Sequence, residues 1–287
     1  MNPAYAYVYD DFLADRGFER DIAALETKLN TFDLAGRIGR LALFRSAKDL
    51  VEGMVKQGIT TVVIVGNDTT LDKTMWFLPD LNVTIGYIPI AGPSAVAKLL
   101  GIPVGLAACD VLAARLVETI DMGRLDDRYF LTEVSLPATM ASLEIEGRYR
   151  ISSMHGGSLT VRNLGGHVGA EMALSDAKDG YLEEVIMPVP EERKSAIWKR
   201  QIEVGGTSIL LRHGLIISKD PVEAVVDNHA VSGFRFEVSV VPNKLKIVTG
   251  RGRKLVPSDA LSEHARNGMV RPANTRSLTT ARHSTSR

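Results

Sequence analysis

The spacing of apolar positions changes character part-way along the chain. Ala4 to Tyr9 (AYAYVY) reads as a short strand ending on Asp10 and Asp11. Ile22, Leu25 and Leu29 then recur at helical spacing among good helix formers. A second short apolar run, Leu41–Phe44, marks the region of the next strand. Ser46 is placed to cap a helix whose apolar face is Leu50, Val51, Met54 and Val55, with Gly58 as its stop. Thr61–Val65 (TVVIV) is β-branched throughout, the pattern of a strand covered on both faces in a parallel sheet. A helix follows Asp68 and covers Leu71 to Leu78, and Val83–Ile90 is the next strand. Strand and helix alternating in this way predict right-handed βαβ units on an open parallel sheet.

Beyond about residue 125 the pattern becomes strand-like. SLEIEGRYRIS, GSLTVRNL, TSILLRHGLIIS and FRFEVSVV are separated by Gly, Pro and Asn. EERKSAIWKR, residues 191–200, reads as a short helix or a loop. The expected class is therefore α/β: a Rossmann-like parallel-sheet domain over 1–125, then a β-rich antiparallel, sandwich-like domain over 126–250. Residues 251–287 form a basic tail. From about Pro257 it is poor in apolar residues and rich in Ser, Thr, Arg and Asn, so disorder is expected there.

Composition adds three constraints. Acidic and basic residues balance at 34 each, yet eight Arg or Lys against Asp259 and Glu263 give the tail about +6 and leave about −6 in the body. The tail is thus a candidate for weak contact with an anionic membrane or nucleic acid. One cysteine, Cys109, excludes an intramolecular disulfide, and no Cys/His spacing suits zinc. The start MNPAYAYVYDDF does not read as a signal peptide, and no run approaches the ~20 apolar residues of a membrane span. A cytoplasmic protein without a transmembrane segment is expected.

The candidate chemistry begins at Val65-Gly66-Asn67-Asp68-Thr69-Thr70, a loop between a strand and a helix. Such loops present backbone N–H groups to phosphate, and glycine lets the backbone come close. The plainer alternative is that Asn67 or Asp68 is a helix N-cap. Pro89 to Pro103 (PIAGPSAVAKLLGIP) follows the next strand. Further on come Glu118-Thr-Ile-Asp-Met-Gly123 with Arg128-Tyr-Phe-Leu131, and then Phe236–Ile247.

In this order the four segments resemble the diacylglycerol kinase and NAD kinase superfamily. Gly66, Asp68 and Thr70 match its Gly-Gly-Asp-Gly-Thr signature. Pro89, Ala97 and Leu100-Gly-Ile-Pro103 match its Pro-x-Gly-Thr-x-Asn-Asp-x-Ala segment and that segment's ending. Phe236–Ile247 matches its closing strand pair around Pro-x-x-Leu. The resemblance implies ATP and magnesium as cofactors and phosphoryl transfer to a lipid or small-molecule hydroxyl. Asp68 would be base or metal partner, with Gly66, Asn67, Thr69, Thr70, Gly92 and Ser94 around the nucleotide.

The sequence also departs from that family. Asp10-Asp11-Phe12 replaces a glycine-containing turn, and two carboxylates facing a triphosphate repel it unless a cation intervenes. Asn67 and Thr69 stand for glycines, and a β-branched Thr tolerates left-handed geometry poorly. Val226-Asp-Asn-His229 aligns with an acidic Asp-Gly-Glu segment, so His229 is the remaining candidate for proton transfer there, unless Asp227 is only a turn residue. Two functions stay open: a kinase of reduced activity, or a catalytically degenerate protein that binds a nucleotide or other ligand in the interdomain cleft. A scaffold working through its basic tail is a third.

Overall fold

The computed structural model describes residues 4–41, 46–139, 141–152, 157–165, 176–188 and 207–255. Four parallel strands form the first half: β1 (Tyr5–Tyr9), β2 (Gly36–Arg40), β3 (Thr61–Gly66) and β4 (Thr84–Pro89), in the order β2-β1-β3-β4. Val62 to Val65 are fully buried, as a strand covered on both faces requires. The cover is helical. α1 (Glu19–Thr31) buries Ile22, Leu25 and Leu29, the three residues at helical spacing. α2 (Ala47–Val55) starts on the Ser46 hydroxyl, which accepts from Asp49 N, and it buries Leu50, Val51 and Met54. α3 is Asp68–Met75, α4 Ala95–Leu100 and α5 Ala108–Ala114.

The second strand is Gly-Arg-Ile-Gly-Arg, just before the apolar run at 41–44, of which residues 42–44 lie outside the described residues. β2 is an edge strand with Arg37, Ile38 and Arg40 exposed, so it lacks the apolar pattern of its neighbours. Its first glycine has a steric reason: a Cβ on Gly36 would lie 2.5 Å from the Tyr5 carbonyl oxygen. Leu41 extends the pairing by donating to the Tyr9 carbonyl at 2.8 Å.

The second half is antiparallel. After β5 (Val117–Leu125) come β6 (Arg128–Phe130), β7 (Glu133–Thr139), β8 (Ser142–Ile145), β9 (Tyr149–Ser152) and β10 (Gly157–Arg162). β11 (Leu182–Pro188), β12 (Thr207–Leu211), β13 (His213–Val226) and β14 (His229–Val248) complete it. Among the described residues the sheet runs β12-β11-β10-β7-β13-β14-β4-β3-β1-β2, so β14 joins the halves. Its start pairs with β13 and its end runs parallel to β4, through Lys246 opposite Thr84. Where the sequence suggested a strand pair around Pro242, one strand continues through a register shift between Val241 and Leu245, with Asn243 at φ 52°. Two apolar cores result. One surrounds the parallel sheet; the other gathers Val134, Leu143, Val161, Ile216, Val226 and Val238.

Residues 95–114 are long and apolar enough in composition to suggest a membrane span. They do not form one helix. Gly101 closes α4 at φ 68°, and a Cβ there would meet Arg253 N at 2.4 Å. The segment instead buries Val96, Leu100, Ala108 and Leu112 against the sheet. The Leu-Gly-Ile-Pro motif is thus a packing device, fixed by Gly250 N and Lys254 N donating to the carbonyls of Leu100 and Leu99. The 191–200 segment and the chain beyond Pro257 lie outside the described residues.

Candidate functional site

The signature loop is closed on itself. Asn67, in extended conformation, caps α3: its side chain accepts from Thr70 N at 3.1 Å, and the Thr70 hydroxyl accepts from Asn67 N at 3.0 Å. This reciprocal capping box satisfies the donors that a loop of this kind could offer to phosphate at those positions. Gly66 is needed here for close approach, not for left-handed geometry. A Cβ at that position would fall 2.2 Å from the Thr70 hydroxyl oxygen. Thr69 sits exposed in the first turn of α3, so its β-branch meets no strain.

Asp68 binds the opposing segment. Its carboxylate accepts from Tyr87 Oη at 3.1 Å, from Ala95 N at 2.9 Å and from the Ser94 hydroxyl in a short bond. Ser94 Oγ in turn accepts from Ala97 N at 2.9 Å. Asp68 and Ser94 together therefore cap α4, and the carboxylate stands where an incoming anion would seek those N–H groups. Burial, then the Asp68 carboxylate beside it, push the Tyr87 phenol upward, so it stays a hydroxyl donor. Between the two segments Ala91 and Gly92 form an exposed turn at φ 71° and 124°. The sequence-predicted residues 66–70 and 92–94 are thus brought together, but by direct hydrogen bonds.

The acidic turn after β1 has its own cation. Asp10 is buried, accepts from the Thr70 hydroxyl at 2.6 Å, and pairs with Lys73 Nζ at 2.8 Å. The same ammonium lies 3.7 Å from Asp11. Burial alone would raise the Asp10 carboxyl; hydrogen bonds from Asp11, Lys73 and Thr70 outweigh it and hold the group below its usual range. Lys73, five residues beyond Asp68 in α3, thus supplies these two carboxylates with a positive charge from within the chain.

His229 lies elsewhere. It opens β14 after a two-residue turn in which Asp227 has φ 51°. The Asp227 carboxylate accepts from Leu131 N at 2.9 Å, Thr132 N at 2.8 Å, Glu133 N at 3.1 Å and the Thr132 hydroxyl. Asp227 is a clamp between two loops as well as a turn residue. His229 is exposed on the rim of a cavity of about 410 Å³. Leu125, Val226, Val231 and Phe236 line it together with Trp76, which follows the last residue of α3. Asp126, Asp127, Arg128 and Ser232 share the rim with His229. Asp68 opens α3, whereas Trp76, beside His229 in the cavity lining, follows its end about 12 Å of helix away. The cavity is not lined by residues 66–70 or 91–94.

A third polar centre escaped the sequence reading. Asp121 N donates to the Ala177 carbonyl, and its carboxylate accepts from Gly180 N at 2.8 Å and Asn243 N at 2.7 Å. Burial, then the Asp176 and Asp121 charges, push Asp179 up to about 6, against the hydrogen bond from Tyr181 N. Asp176 Oδ2 and Asn163 Oδ1 are buried with no donor among the described residues. Among the described residues no three His, Cys, Asp or Glu side chains form a ready metal cage. Each of these oxygens is of the kind that a hard, oxygen-seeking cation takes as a ligand.

The same architecture recurs in solved proteins. The crystal structure of a diacylglycerol kinase from Bacillus anthracis str. Sterne superposes with a TM-score of 0.70 at 12% identity, covering 89% of this chain and 100% of that one. The chain has the diacylglycerol kinase fold. Among curated proteins, diacylglycerol kinases of Mycobacterium tuberculosis strains CDC 1551 and H37Rv are each 29% identical over 83 residues. That alignment spans 28% of this chain and about a quarter, 27%, of each relative's length. No protein-family model matches the chain.

The diacylglycerol kinase fold makes the nucleotide question concrete. The cradle beside Gly66 is filled by Thr70, Ala95 N is held by Asp68, and a lysine stands between Asp10 and Asp11. The residues present do not fit a nucleotide triphosphate without breaking these bonds.

Proposed function

We propose that this chain is a diacylglycerol kinase-fold protein that binds a ligand between its halves and has lost efficient ATP-dependent phosphoryl transfer. The observation that carries this reading is the Asp68 carboxylate, which accepts from Tyr87, Ser94 and Ala95 N. A base or metal anchor must be free to meet the reacting hydroxyl; this one is consumed in holding α4. Magnesium, if bound, would be held by Asp176, Asp179 and Asn163, where it would neutralise crowded carboxylates. There Asp121 and Asn163 link β5 to the 176–181 loop and to Asn243 in β14. The basic segment from Arg251 onward would add weak, salt-sensitive contact with an anionic membrane or nucleic acid.

A kinase acting on a lipid or small-molecule hydroxyl is the second reading. It is favoured by His229, whose exposed imidazole at the rim of a half-apolar cavity is placed to take a proton from an acceptor hydroxyl. The deciding experiment is phosphate transfer from labelled ATP with magnesium to diacylglycerol and to NAD. The proposal expects no turnover from the intact protein. Robust transfer that falls by ~10²-fold in Asp68→Asn would overturn it and restore Asp68 as the catalytic group.

A further inference from the structure

The cavity beside α3 has a charge balance that selects its occupant. Its apolar side is continuous with the second core, through Leu125, Val226 and Phe236. On the polar side the charges do not cancel. Arg128 is answered by Asp72, at 3.2 Å, which belongs to α3 and does not line the cavity. Asp126 uses Oδ1 to accept from Glu237 N at 2.8 Å. Asp127 is exposed and lines the cavity. Two carboxylates therefore line the space against a single guanidinium, whose Nη2 is paired with Asp72 while its buried Nε has no partner among the described residues. Lys48 lies 5.6 Å from the Trp76 ring centre and is paired with Glu52, so it does not reverse the balance. Ser232 and His229 add groups able to accept from a donor.

We infer that this cavity binds a small cationic amphiphile: an ammonium group held at Asp126 and Asp127, with an aliphatic body against Leu125, Val226, Val231 and Phe236. The inference rests on the ligand-binding reading above and names the ligand class of that cleft. The wall contributes through removal of apolar surface from water, and the carboxylates through attraction that is specific for positive charge. An anionic amphiphile is repelled by the same pair. A neutral one gains only the wall.

The test uses the full-length protein and three probes of equal chain length: octylamine, octanol and octanoate, titrated by calorimetry at low salt. Octylamine should bind most tightly, octanol more weakly, and octanoate least. Asp127→Asn should weaken octylamine about fivefold and leave octanol unchanged, the scale expected of one partly exposed charge pair. Ser232→Trp places a large side chain in the cavity mouth from an exposed strand position and should abolish binding of both. Circular dichroism of each variant checks that it is folded. Equal affinity for the three probes, or octylamine binding that survives Ser232→Trp in a folded protein, overturns the inference. The binding-protein reading fails separately, through ATP turnover, so the two failures are distinguishable.

Discussion

Glu184 provides a sharp physical test of the second domain. It lies in β11 opposite Val161 of β10 and Ile209 of β12, on the face that carries buried Leu182. The residue is fully buried and neither carboxylate oxygen has a hydrogen-bond donor among the described residues. Arg162, the charged residue next along β10, is committed to Glu133 at 3.0 Å. Burial alone pushes the Glu184 carboxyl up from 4.5 to about 7. The folded protein thus holds a proton that the unfolded chain releases between pH 4.5 and 7, so folding stability falls as pH rises through that window. At 1.36 kcal/mol per unit the full loss is about 3 kcal/mol, a large fraction of a domain's total. Glu184→Met fills a similar volume without a titratable group. Urea unfolding of both proteins at a series of pH values from 4.5 to 8 isolates the residue, because every other titration is common to the two. The variant should gain on the parent by about 3 kcal/mol across the series, and most of the gain should be complete near pH 7. Parallel stability profiles would refute the reasoning and require a donor or cation beside Glu184.

Other consequences follow from individual contacts. Asp68→Asn should lower stability by about 1–2 kcal/mol, because an amide offers one acceptor oxygen to the three donors now served; thermal unfolding measures it. Lys73→Met leaves Asp10 buried beside Asp11 without its ammonium and should cost about 1–3 kcal/mol at pH 7. The depressed Asp10 carboxyl contributes stability above its unfolded value and loses it as pH falls through the folded one, so the variant should also flatten the acid limb of the stability profile. Asp227→Ala removes the acceptor of three backbone N–H groups and should destabilise by about 2–3 kcal/mol; unchanged unfolding would show that the clamp is dispensable.

Much of the first half was legible because its elements obey simple spacing. TVVIV announces a strand covered on both faces, and Ile22, Leu25 and Leu29 announce the buried stripe of α1. β2 was missed because an edge strand bearing two exposed arginines has no apolar signature. The continuity of β14 was hidden by Pro242 and Asn243, which read as a break and act as a bulge. At the site, the short-range reading was the informative one: Asn67 is the helix cap that its position after a strand suggested. The functional meaning of Asp68 was not readable, since its partners Tyr87, Ser94 and Ala95 are brought in from the next strand and loop. Glu184 was invisible for a different reason. In Leu182-Glu-Glu-Val, alternation places one glutamate inward only once the register of β11 against β10 is known.

The account turns on whether the Asp68–Ser94–Ala95 joint and the Lys73–Asp10 pair close the nucleotide site. Calorimetric titration of the intact protein with ATP and magnesium tests this most directly. The account predicts no saturable heat below about 1 mM, the regime of affinities weaker than roughly 4 kcal/mol. Saturable binding at micromolar ATP would mean that the joint opens for the nucleotide, and the claim that the signature loop has become a structural device would be wrong.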